Sequence, residues 1–392
     1  MDPRRNPFAP GAGARPPELA GRESIITAAT IALERIKRGR SEKSQMLLGL
    51  RGVGKTVLLN HLVQLAEDLG YLVVPLEVPE GQRLAAYLAP ALKNTLLQLS
   101  RVEQAKDLAE RALGVLRGFA SAFKVSIGDI DVAIQPESTA DSGNLEIDLP
   151  ELIGSVGRAA QAARKSVAIF LDEVQYLSEE DLRAIIVSMH RVTQRGWPVI
   201  LFGAGFPQVA ALAGEAKSYA ERLFDYPEVG PLEAVSAASA ITDPLEEEGE
   251  TITGEAVEAI VSITEGYPYF LQEWGKHAWN SASHSPIEVA DVERASVLAT
   301  EALDRSFFRV RFDRLTPREQ DYLRAMAALG GGPHRSGDIA EVLGIPVERA
   351  GPLRSGLIRK GMIWSPSHGQ TAFTVPMFDR FMIRAMPQWT RR

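Results

Sequence analysis

The sequence of 392 residues predicts an α/β fold, in which a parallel sheet is followed by a helical region and by a C-terminal part of three short helices and a two-strand wing. Three observations predict it. A glycine-rich loop at 49–56 separates an apolar run from a helical pattern, a continuous apolar block at 167–171 ends in two acids, and short helices with glycine turns begin at Leu315. Strands that alternate with helices favour a right-handed parallel sheet. The predicted domains are residues 1–232, 233–314 and 315–392.

The glycine-rich loop lies in the segment LLGLRGVGKTVLLNHL, which begins at Leu47. Residues 49–56 fit G-x-x-x-x-G-K-[ST] without a mismatch, between a predicted strand and a helix that ends at Gly70. In this context glycines let successive backbone amides turn around a phosphate chain, and the helix N-terminus adds partial positive charge. Lys55 is expected to neutralise the β- and γ-phosphates, and the Thr56 hydroxyl to ligate Mg²⁺. The predicted nucleotide-binding residues here are Gly49, Arg51, Gly52, Val53, Gly54, Lys55, Thr56 and Val57.

A second strong signal is the segment KSVAIFLDEVQYL, in which residues 167–171 form the continuous apolar block typical of a central parallel strand. The block ends in Asp172 and Glu173, where ligands bind in open α/β sheets. Asp172 is expected to hold the Mg²⁺ shell, and Glu173 to polarise an attacking water as general base. The alternative to these catalytic roles is that Asp172 and Glu173 are two solvated acids at the N-terminus of a helix. The Asp-Glu pair favours ATP hydrolysis over phosphoryl transfer to a small metabolite.

The remaining strands of the sheet are predicted from shorter apolar runs. They are YLVVPLEV at 71–78, PVILFGAGFPQV at 198–209 and YPEVGPL at 226–232. Residues 80–117 have a helical pattern, and a polar insertion at 124–150 contains the alternating run VSIGDIDVAI, which predicts a hairpin. A parallel sheet with helical crossovers is the simplest architecture that accommodates these elements.

Charge and composition restrict the classes of protein that remain. The net charge is −7, but residues from Leu315 onward carry 11 Lys and Arg against 6 Asp and Glu, a balance of +5, which leaves −12 for the rest. A basic tail on an acidic body indicates an anionic partner for the tail. Without cysteine, disulfides and thiolate metal sites are excluded. No apolar run of membrane-spanning length and no apolar N-terminal segment occur, so we expect a cytoplasmic protein without membrane contact.

These segments together resemble the AAA+-type ATPases of the initiator-like and archaeal-ATPase branch, a group that overlaps with the signal-transduction ATPases called STAND proteins. The resemblance covers residues 16–280, and its most specific part is the pair of Walker motifs, GLRGVGKT and FLDEVQYL. It implies an ATPase with Mg-ATP as substrate. It also implies that Arg22, in PPELAGRES, helps to seat the adenine, and that Arg222, in YAERLF, lies near the γ-phosphate. In TEGYPYFLQEWG, Gly266 and Pro268 match the lid-helix motif of the family.

The chain departs from that family at two places that bear on nucleotide sensing. The lid segment EGYPYFLQ has no arginine, and the predicted strand after Walker B ends in 203–205, Gly-Ala-Gly, without a polar side chain. His190 and Gln194 on the preceding helix are possible substitutes, with capping or packing as the alternative. For Arg222 the alternative is a surface ion pair with Glu221 or Asp225, and an action in its own subunit or in a neighbouring one is equally compatible. These gaps fit slow turnover or a switch that holds its nucleotide.

The tail from Leu315 onward is similar to a winged helix-turn-helix over residues 315–387. TPREQDYLRAMAAL begins with Thr316 as N-cap and Pro317 at the first helical position, SGDIAEVLG gives a second helix, PVERAGPLRSGLIRKGMI a third, and WSPSHGQTAFTVP a wing. In DNA-binding members of that family the third helix lies in the major groove. The predicted DNA contacts are Arg349, Arg354, Arg359, Lys360 and His368. Pro352 within the third helix predicts a shortening or a kink.

Two functions follow from these features. The first is an AAA+/STAND-like ATPase that couples ATP binding and hydrolysis to the way its winged helix engages double-stranded DNA. The second is a signalling or defence switch, in which the winged helix is a regulatory lid and protein-binding module that does not read DNA. Either function is compatible with a homo-oligomer or with a protein partner.

Overall fold

The structure, a computed structural model, describes residues 1–11, 19–128 and 139–389. Most of the hairpin predicted within the insertion lies outside the described residues, as does the start of PPELAGRES. The chain forms two compact units. The sheet unit comprises Gly21–Gly49 and Gly54–Gly230, and the C-terminal unit comprises Met1–Ala20, Leu50–Val53 and Pro231–Arg392.

The sheet unit is built on five parallel strands in the order β2-β3-β4-β1-β5. The strands are β1 (Ser44–Leu48), β2 (Leu72–Glu77), β3 (Val167–Asp172), β4 (Val199–Gly205) and β5 (Phe224–Asp225). Leu48 lies opposite Gly205, and Glu77 lies opposite Asp172, so the carboxyl ends of the strands meet at one edge of the sheet. The predicted parallel α/β sheet is therefore confirmed.

The three central strands are buried apolar segments, as the sequence predicts. Every residue of β1 and β4 is buried, and in β3 only Asp172 at the carboxyl end is partly exposed. The edge strand β2 is different, because Pro75 in its middle is exposed. The Leu72 amide donates to the Ser166 carbonyl at 2.9 Å, and the Val78 amide to the Asp172 carbonyl at 3.0 Å. The even-numbered amides of this segment therefore face β3, and the odd-numbered positions face outward.

The last strand is not where the sequence placed it. The prediction of a strand at 226–232 is wrong in position, because β5 is Phe224–Asp225 and pairs with Ser44 and Gln45. Of the predicted segment only Glu228 forms a bridge, with Leu48. Prolines at 227 and 231 lack the amide hydrogen that a continuing strand needs, so the pairing ends after a few residues.

Eight helices of the sheet unit lie within its described residues. They are α1 (Glu23–Lys37), α2 (Lys55–Asp68), α3 (Leu84–Leu99), α4 (Lys106–Ala122), α5 (Leu145–Ala162), α6 (Glu179–Arg195), α7 (Gln208–Ala216) and α8 (Ala220–Leu223). Helix α6 begins at a capping box formed by Ser178 and Asp181, and it ends at Gly196 in the left-handed conformation. Its buried face joins the same apolar core as β3 and β4.

The C-terminal unit contains five described α-helices between Pro231 and the tail that begins at Leu315. They are α9 (Ala234–Glu247), α10 (Gly254–Thr264), α11 (Pro268–Ser281), α12 (Val289–Leu303) and α13 (Arg309–Phe312), with a wide helical turn at Asp304–Phe308 between the last two. The N-terminal segment packs on this group. Phe8 is 4% exposed and lies so close to Gly275 that a Cβ there would be 2.6 Å from the Phe8 ring. The Trp279 indole also donates to the Asp2 carbonyl at 2.8 Å.

The tail forms the predicted order of short helices and strands. Its elements are α14 (Pro317–Ala328), β6 (His334–Arg335), α15 (Ser336–Leu343), α16 (Val347–Arg359), β7 (Ile363–Trp364), β8 (Gln370–Phe373) and α17 (Phe378–Ala385). Thr316 is the N-cap of α14 and Pro317 follows it, as the sequence predicts, and Thr316 also forms a capping box with Glu319. Helix α16 runs through Pro352 without ending there. A third strand, β6, adds to the two wing strands in an antiparallel sheet of order β6-β8-β7. The assignment of the tail as a winged helix stays a prediction.

Within the C-terminal unit the tail is joined to the preceding helices by aromatic and ionic contacts. The Phe308 ring lies 5.6 Å from that of Phe378 and 5.3 Å from that of Phe381, measured between centroids. The Arg384 guanidinium binds both carboxylate oxygens of Asp304 at 2.7 Å. Such a two-pronged ion pair fixes orientation as well as distance. None of the helices in the described part of the chain combines the length and apolar character that crossing a bilayer requires.

Candidate active site

The glycine-rich loop leaves the end of β1 and enters α2. The Gly49 amide donates to the Gly205 carbonyl at 3.0 Å, which ties the start of the loop to the end of β4. Gly52 and Gly54 have φ of +81° and +89°, values in the left-handed region that favours glycine. Gly54 is the N-cap of α2 and makes no side-chain cap, and the N-terminus of a helix is a place where anions bind. Val53, between these two glycines, is buried, with 1% of its surface exposed.

Lys55 and Thr56 open helix α2, where the loop pattern places them. The Lys55 side chain is 9% exposed, and its ammonium lies 5.5 Å from the centroid of the Phe206 ring. An aromatic face of this kind accommodates a cation in a partly desolvated place. Val57 follows on the first turn of the helix and is half-buried.

Asp172, at the end of β3, meets the hydroxyl of Thr56. Burial raises the pKa of the Asp172 carboxyl, while hydrogen bonds from the Thr56 hydroxyl and the Glu173 amide, and the nearby Lys55 charge, act in the opposite direction. The Glu173 amide donates to Asp172 Oδ1 at 2.8 Å. The two oxygen-bearing side chains that the sequence assigned to Mg²⁺ are therefore neighbours in one compact unit. Both are oxygen donors of the kind that Mg²⁺ prefers.

Glu173 has a left-handed backbone with φ 55° and ψ 38°, an uncommon conformation for a residue with a side chain. Its carboxylate accepts a hydrogen bond from the Gln175 amide nitrogen, and the Gln175 amide oxygen accepts from the Phe206 amide at 3.3 Å. The sequence analysis did not single out Gln175. Two features of the sequence could have pointed to Gln175. It lies two residues after the acidic pair, and the strand that follows, β4, ends without a polar side chain.

Arg22 is buried, with 8% of its surface exposed, and its guanidinium donates to the Gly230 carbonyl. Burial lowers the pKa of Arg22, and the adjacent Glu23 carboxylate opposes that change. The structure thus gives Arg22 a partner at the end of the sheet unit. Its role beside the adenine stays a prediction.

Arg222 lies on α8, and its side chain is exposed. In the described part of the chain it forms no ion pair, and Asp225, one of its two possible partners, pairs with Lys43 at 2.9 Å. His190 and Gln194, the possible substitutes for the missing polar sensor, contact each other at 3.4 Å, and the His190 ring packs on Tyr219. These contacts fit a packing role for His190 and Gln194.

The lid motif lies in the C-terminal unit. Gly266 has φ +70°, and a Cβ there would lie 2.3 Å from the Leu232 carbonyl oxygen. The Gly266 carbonyl also accepts from the Leu232 amide at 2.8 Å. Pro268 occupies the first position of α11, where its missing amide hydrogen costs nothing. The next residue, Tyr269, donates its amide to the Gly52 carbonyl at 3.3 Å, and both residues belong to this unit.

Arg51 of the loop has a neighbour of like charge in the same unit, Arg311. The Arg311 guanidinium stacks 3.8 Å above the centroid of the Phe307 ring, which itself stacks on Tyr269 with 4.8 Å between centroids. Burial lowers the pKa of Arg311 to about 10, and the positive charge of Arg51 adds to the effect. Sequence analysis missed Arg311 because it lies outside the lid motif in which an arginine was sought.

The five predicted DNA contacts fall into two groups. Arg354 and Lys360 have internal partners. The Arg354 guanidinium donates to the Thr371 hydroxyl, the Ser365 hydroxyl and the Gln370 carbonyl at 2.8 to 2.9 Å, and the Lys360 ammonium contacts Glu319 at 2.7 Å. The other three, Arg349, Arg359 and His368, are exposed, as Lys360 is. For Arg354 and Lys360 a contact with DNA stays a prediction that their internal partners weaken.

The order of the strands, the glycine loop and the acidic pair define the class of a P-loop nucleotide-binding domain. Comparison with family models agrees: residues 18–202 match an AAA ATPase domain, and residues 305–382 match a domain of unknown function, DUF8462. A comparison with curated proteins finds no match. The chain therefore carries an AAA+-type P-loop ATPase domain, which binds ATP or ADP and hydrolyses ATP.

Solved structures with a similar fold include a Walker-type ATPase of Pyrococcus abyssi, 18% identical, with 93% of this chain and 96% of that chain covered and a TM-score of 0.58. The ORC2 protein of Aeropyrum pernix in its ADP form is 15% identical, with 98% of each chain covered and a TM-score of 0.51. The same protein in ADPNP–ADP complexes is 16% identical, with 97% and 98% covered and a TM-score of 0.50. At these identities the likeness shows the fold alone.

Proposed function

We propose that the chain hydrolyses Mg-ATP at the carboxyl edge of its sheet and uses the nucleotide state to control how its C-terminal tail engages double-stranded DNA. The observation that carries the first half is the meeting of Lys55, Thr56, Asp172 and Glu173 within one compact unit. A cationic side chain, a hydroxyl and two carboxylates at the end of a parallel sheet are what phosphoryl chemistry requires.

The donor set fits a magnesium ion. In the described residues no group of three or more His, Cys, Asp or Glu side chains could hold a metal. Mg²⁺ commonly takes one or two protein ligands and completes its shell with phosphate oxygens and water. Thr56 and Asp172 would hold it, and the ion would supply positive charge to the phosphate oxygens. A hydroxyl and a carboxylate that already share a hydrogen bond suit that task.

The chain's own groups then have separate tasks. The amides from Gly52 to Thr56 and the Lys55 ammonium would bind the β- and γ-phosphates, with Lys55 turning from the Phe206 ring toward them. The Glu173 carboxylate would accept the proton of the water that attacks the γ-phosphorus, giving ADP and inorganic phosphate. Arg222 would add positive charge to the transition state. Its exposure suits action on a nucleotide bound by a second copy of the chain.

Two substitutions test the ATPase assignment. Lys55→Ala removes the cation that faces the phosphates, so binding of a fluorescent ATP analogue should be lost. Glu173→Gln keeps the shape of the side chain and removes the base, so binding should persist while phosphate release falls by about a hundredfold or more. Gln64→Ala, an exposed change on helix α2, serves as the control that leaves both unchanged. Normal turnover by Glu173→Gln would show that another group is the base.

The coupling to DNA is supported by the construction of the C-terminal unit. The ion pair of Arg384 with Asp304 and the packing of Phe308 on α17 attach the tail to the helices before it. A nucleotide-dependent rotation of those helices would therefore carry the tail with them. Arg349 and Arg359 project from the exposed side of α16, where they could meet phosphates.

One observation favours the alternative, a switch whose tail binds protein. Two of the five predicted DNA-contacting cations, Arg354 and Lys360, are committed to internal hydrogen bonds. The exposed face of α16 is then left with few cations and with several small residues. A surface with little free charge has a weak electrostatic attraction to a phosphate backbone.

Salt dependence of duplex binding separates the two functions. If the tail binds DNA, affinity should fall steeply as salt increases, and Arg349→Ala with Arg359→Ala should reduce the slope of log K against log salt by about two. Arg354→Met should act through the wing instead, lowering the stability of the tail. A double variant with unchanged affinity and slope would exclude these two arginines from a DNA interface. The tail would then be assigned to protein binding.

A further inference from the structure

We propose that Gln175 is a positioning residue of the ATPase site, which holds the Glu173 carboxylate against the end of β4 and takes the place of the polar side chain that β4 lacks. The proposal rests on the proposed function, because it requires Glu173 to act on the attacking water. It concerns a residue that neither the loop pattern nor the acidic pair contains.

The first step is the pair of hydrogen bonds made by one amide group. The Gln175 nitrogen donates to Glu173 Oε2, and the Gln175 oxygen accepts from the Phe206 amide at 3.3 Å. Because a main-chain amide can only donate, the Phe206 contact fixes which end of the Gln175 side chain carries the oxygen. The nitrogen is thereby directed at the carboxylate. The two contacts together determine the position of Oε2 and leave Oε1 free to accept from water.

The second step is the gap through which the side chain passes. A Cβ on Gly205, the last residue of β4, would lie 2.5 Å from Val174 Cγ2 and 3.0 Å from the Gln175 amide oxygen. The space beside β4 that a polar sensor would occupy is thus filled from the β3 side. This explains why β4 ends without a polar side chain: a larger residue at 205 would displace the amide that orients Glu173.

The third step connects the amide to the phosphate-binding side chains. Phe206, which anchors Gln175 through its main chain, presents its ring to the Lys55 ammonium at 5.5 Å. The Gly205 carbonyl, one residue earlier, accepts from the Gly49 amide at the start of the loop. The carboxylate is therefore held relative to the same turn, 205–206, that touches the loop and its lysine. Holding a base within a fraction of an ångström of the attacking water is what turnover requires.

The test compares three variants in the full chain with Mg-ATP. Gln175→Ala removes both hydrogen bonds, so kcat should fall about tenfold while the affinity for a fluorescent ATP analogue stays within about twofold. Gln175→Glu keeps the shape but replaces the donating nitrogen by a carboxylate oxygen, which cannot donate to Glu173, so kcat should again fall about tenfold or more. Gly205→Ala should lower kcat through the displaced amide. Gly214→Ala, whose Cβ would have no neighbour closer than 3.7 Å, is its control.

Each outcome supports or overturns the proposal. If Glu173→Gln is inactive while Gln175→Ala has normal kcat, Gln175 does not position the base, and the proposed function stands. If Gln175→Ala raises kcat, the contact restrains the carboxylate and the proposal is wrong. Should Gln175→Ala unfold, the isosteric Gln175→Glu decides, and a normal kcat in that variant overturns the proposal. A fully active Glu173→Gln would show that another group is the base. The proposal for Gln175 then fails, because no carboxylate at 173 would need to be positioned, while the assignment of ATP hydrolysis is untouched.

Discussion

Replacing Gly266 by alanine probes the start of the lid helix α11. Gly266 has φ +70°, and an added Cβ would lie 2.3 Å from the Leu232 carbonyl oxygen. The carbonyl cannot turn aside without cost, because Leu232 also donates its amide to the Gly266 carbonyl at 2.8 Å. Two independent penalties therefore act at one position, the left-handed backbone and the collision.

The size of the effect follows from those two penalties. A left-handed alanine costs about 1 to 2 kcal/mol. Forcing a methyl group into a filled space adds about 1 to 3 kcal/mol. We expect a loss of about 3 kcal/mol in the free energy of unfolding of the C-terminal unit. Since 1 kcal/mol corresponds to about 3 °C in Tm for a domain of this size, Tm should fall by about 9 °C.

The matched control is Gly249→Ala, in the same unit. Gly249 has φ +76°, and an added Cβ would meet nothing within 4 Å, so only the backbone penalty of about 1 kcal/mol remains. Unfolding can be followed by tryptophan fluorescence, because four of the five tryptophans belong to this unit, namely Trp274, Trp279, Trp364 and Trp389. Equal losses in Tm for the two variants would refute the argument, since the collision with Leu232 would then contribute nothing.

Three further changes test other parts of the structure. Burial raises the pKa of Asp172, so its ionised form destabilises the fold. Asp172→Asn should therefore stabilise the nucleotide-free protein near pH 7, and the difference in urea midpoint should shrink as the pH falls and the parent carboxyl binds its proton. Phe8→Ala should lower the free energy of unfolding by about 3 kcal/mol or less and release the N-terminal segment from the helices on which it packs. Amide hydrogen exchange in that segment should then be faster, and unchanged exchange would contradict the packing. A double-mutant cycle on Arg384 and Asp304, both partly exposed, should give a coupling free energy of about 1 kcal/mol. A value near zero would show that this ion pair does not help to attach the tail to the helices before it.

The parts of the fold predicted correctly are those encoded by short local segments. The apolar block before Asp172 forms a buried strand because few other conformations bury every residue and satisfy its backbone. Helix α14 begins at Thr316 because the hydroxyl and the Glu319 carboxylate satisfy amides within a single turn. The glycine loop is recognisable for the same reason, since its φ values are a local requirement.

The parts that were missed depend on distant partners. The position of β5 is decided by pairing with β1 across the sheet, and two paired residues leave almost no pattern in the sequence. Arg354 and Lys360 look like free cations on a helix, and only the folded wing and Glu319 give them partners. Gln175 becomes informative only when Gly205, far away in the chain, is seen beside it.

The placement of Pro75 has a consequence for how copies of this chain can associate. Pro75 lies at an outward-facing position of the edge strand β2, so the middle of this edge lacks a main-chain amide hydrogen. The opposite edge of the sheet is the two-residue strand β5. A ladder of main-chain bonds to a foreign strand needs a longer, uninterrupted row of donors and acceptors. Neither edge of this five-stranded sheet therefore provides a template for adding the strand of another copy.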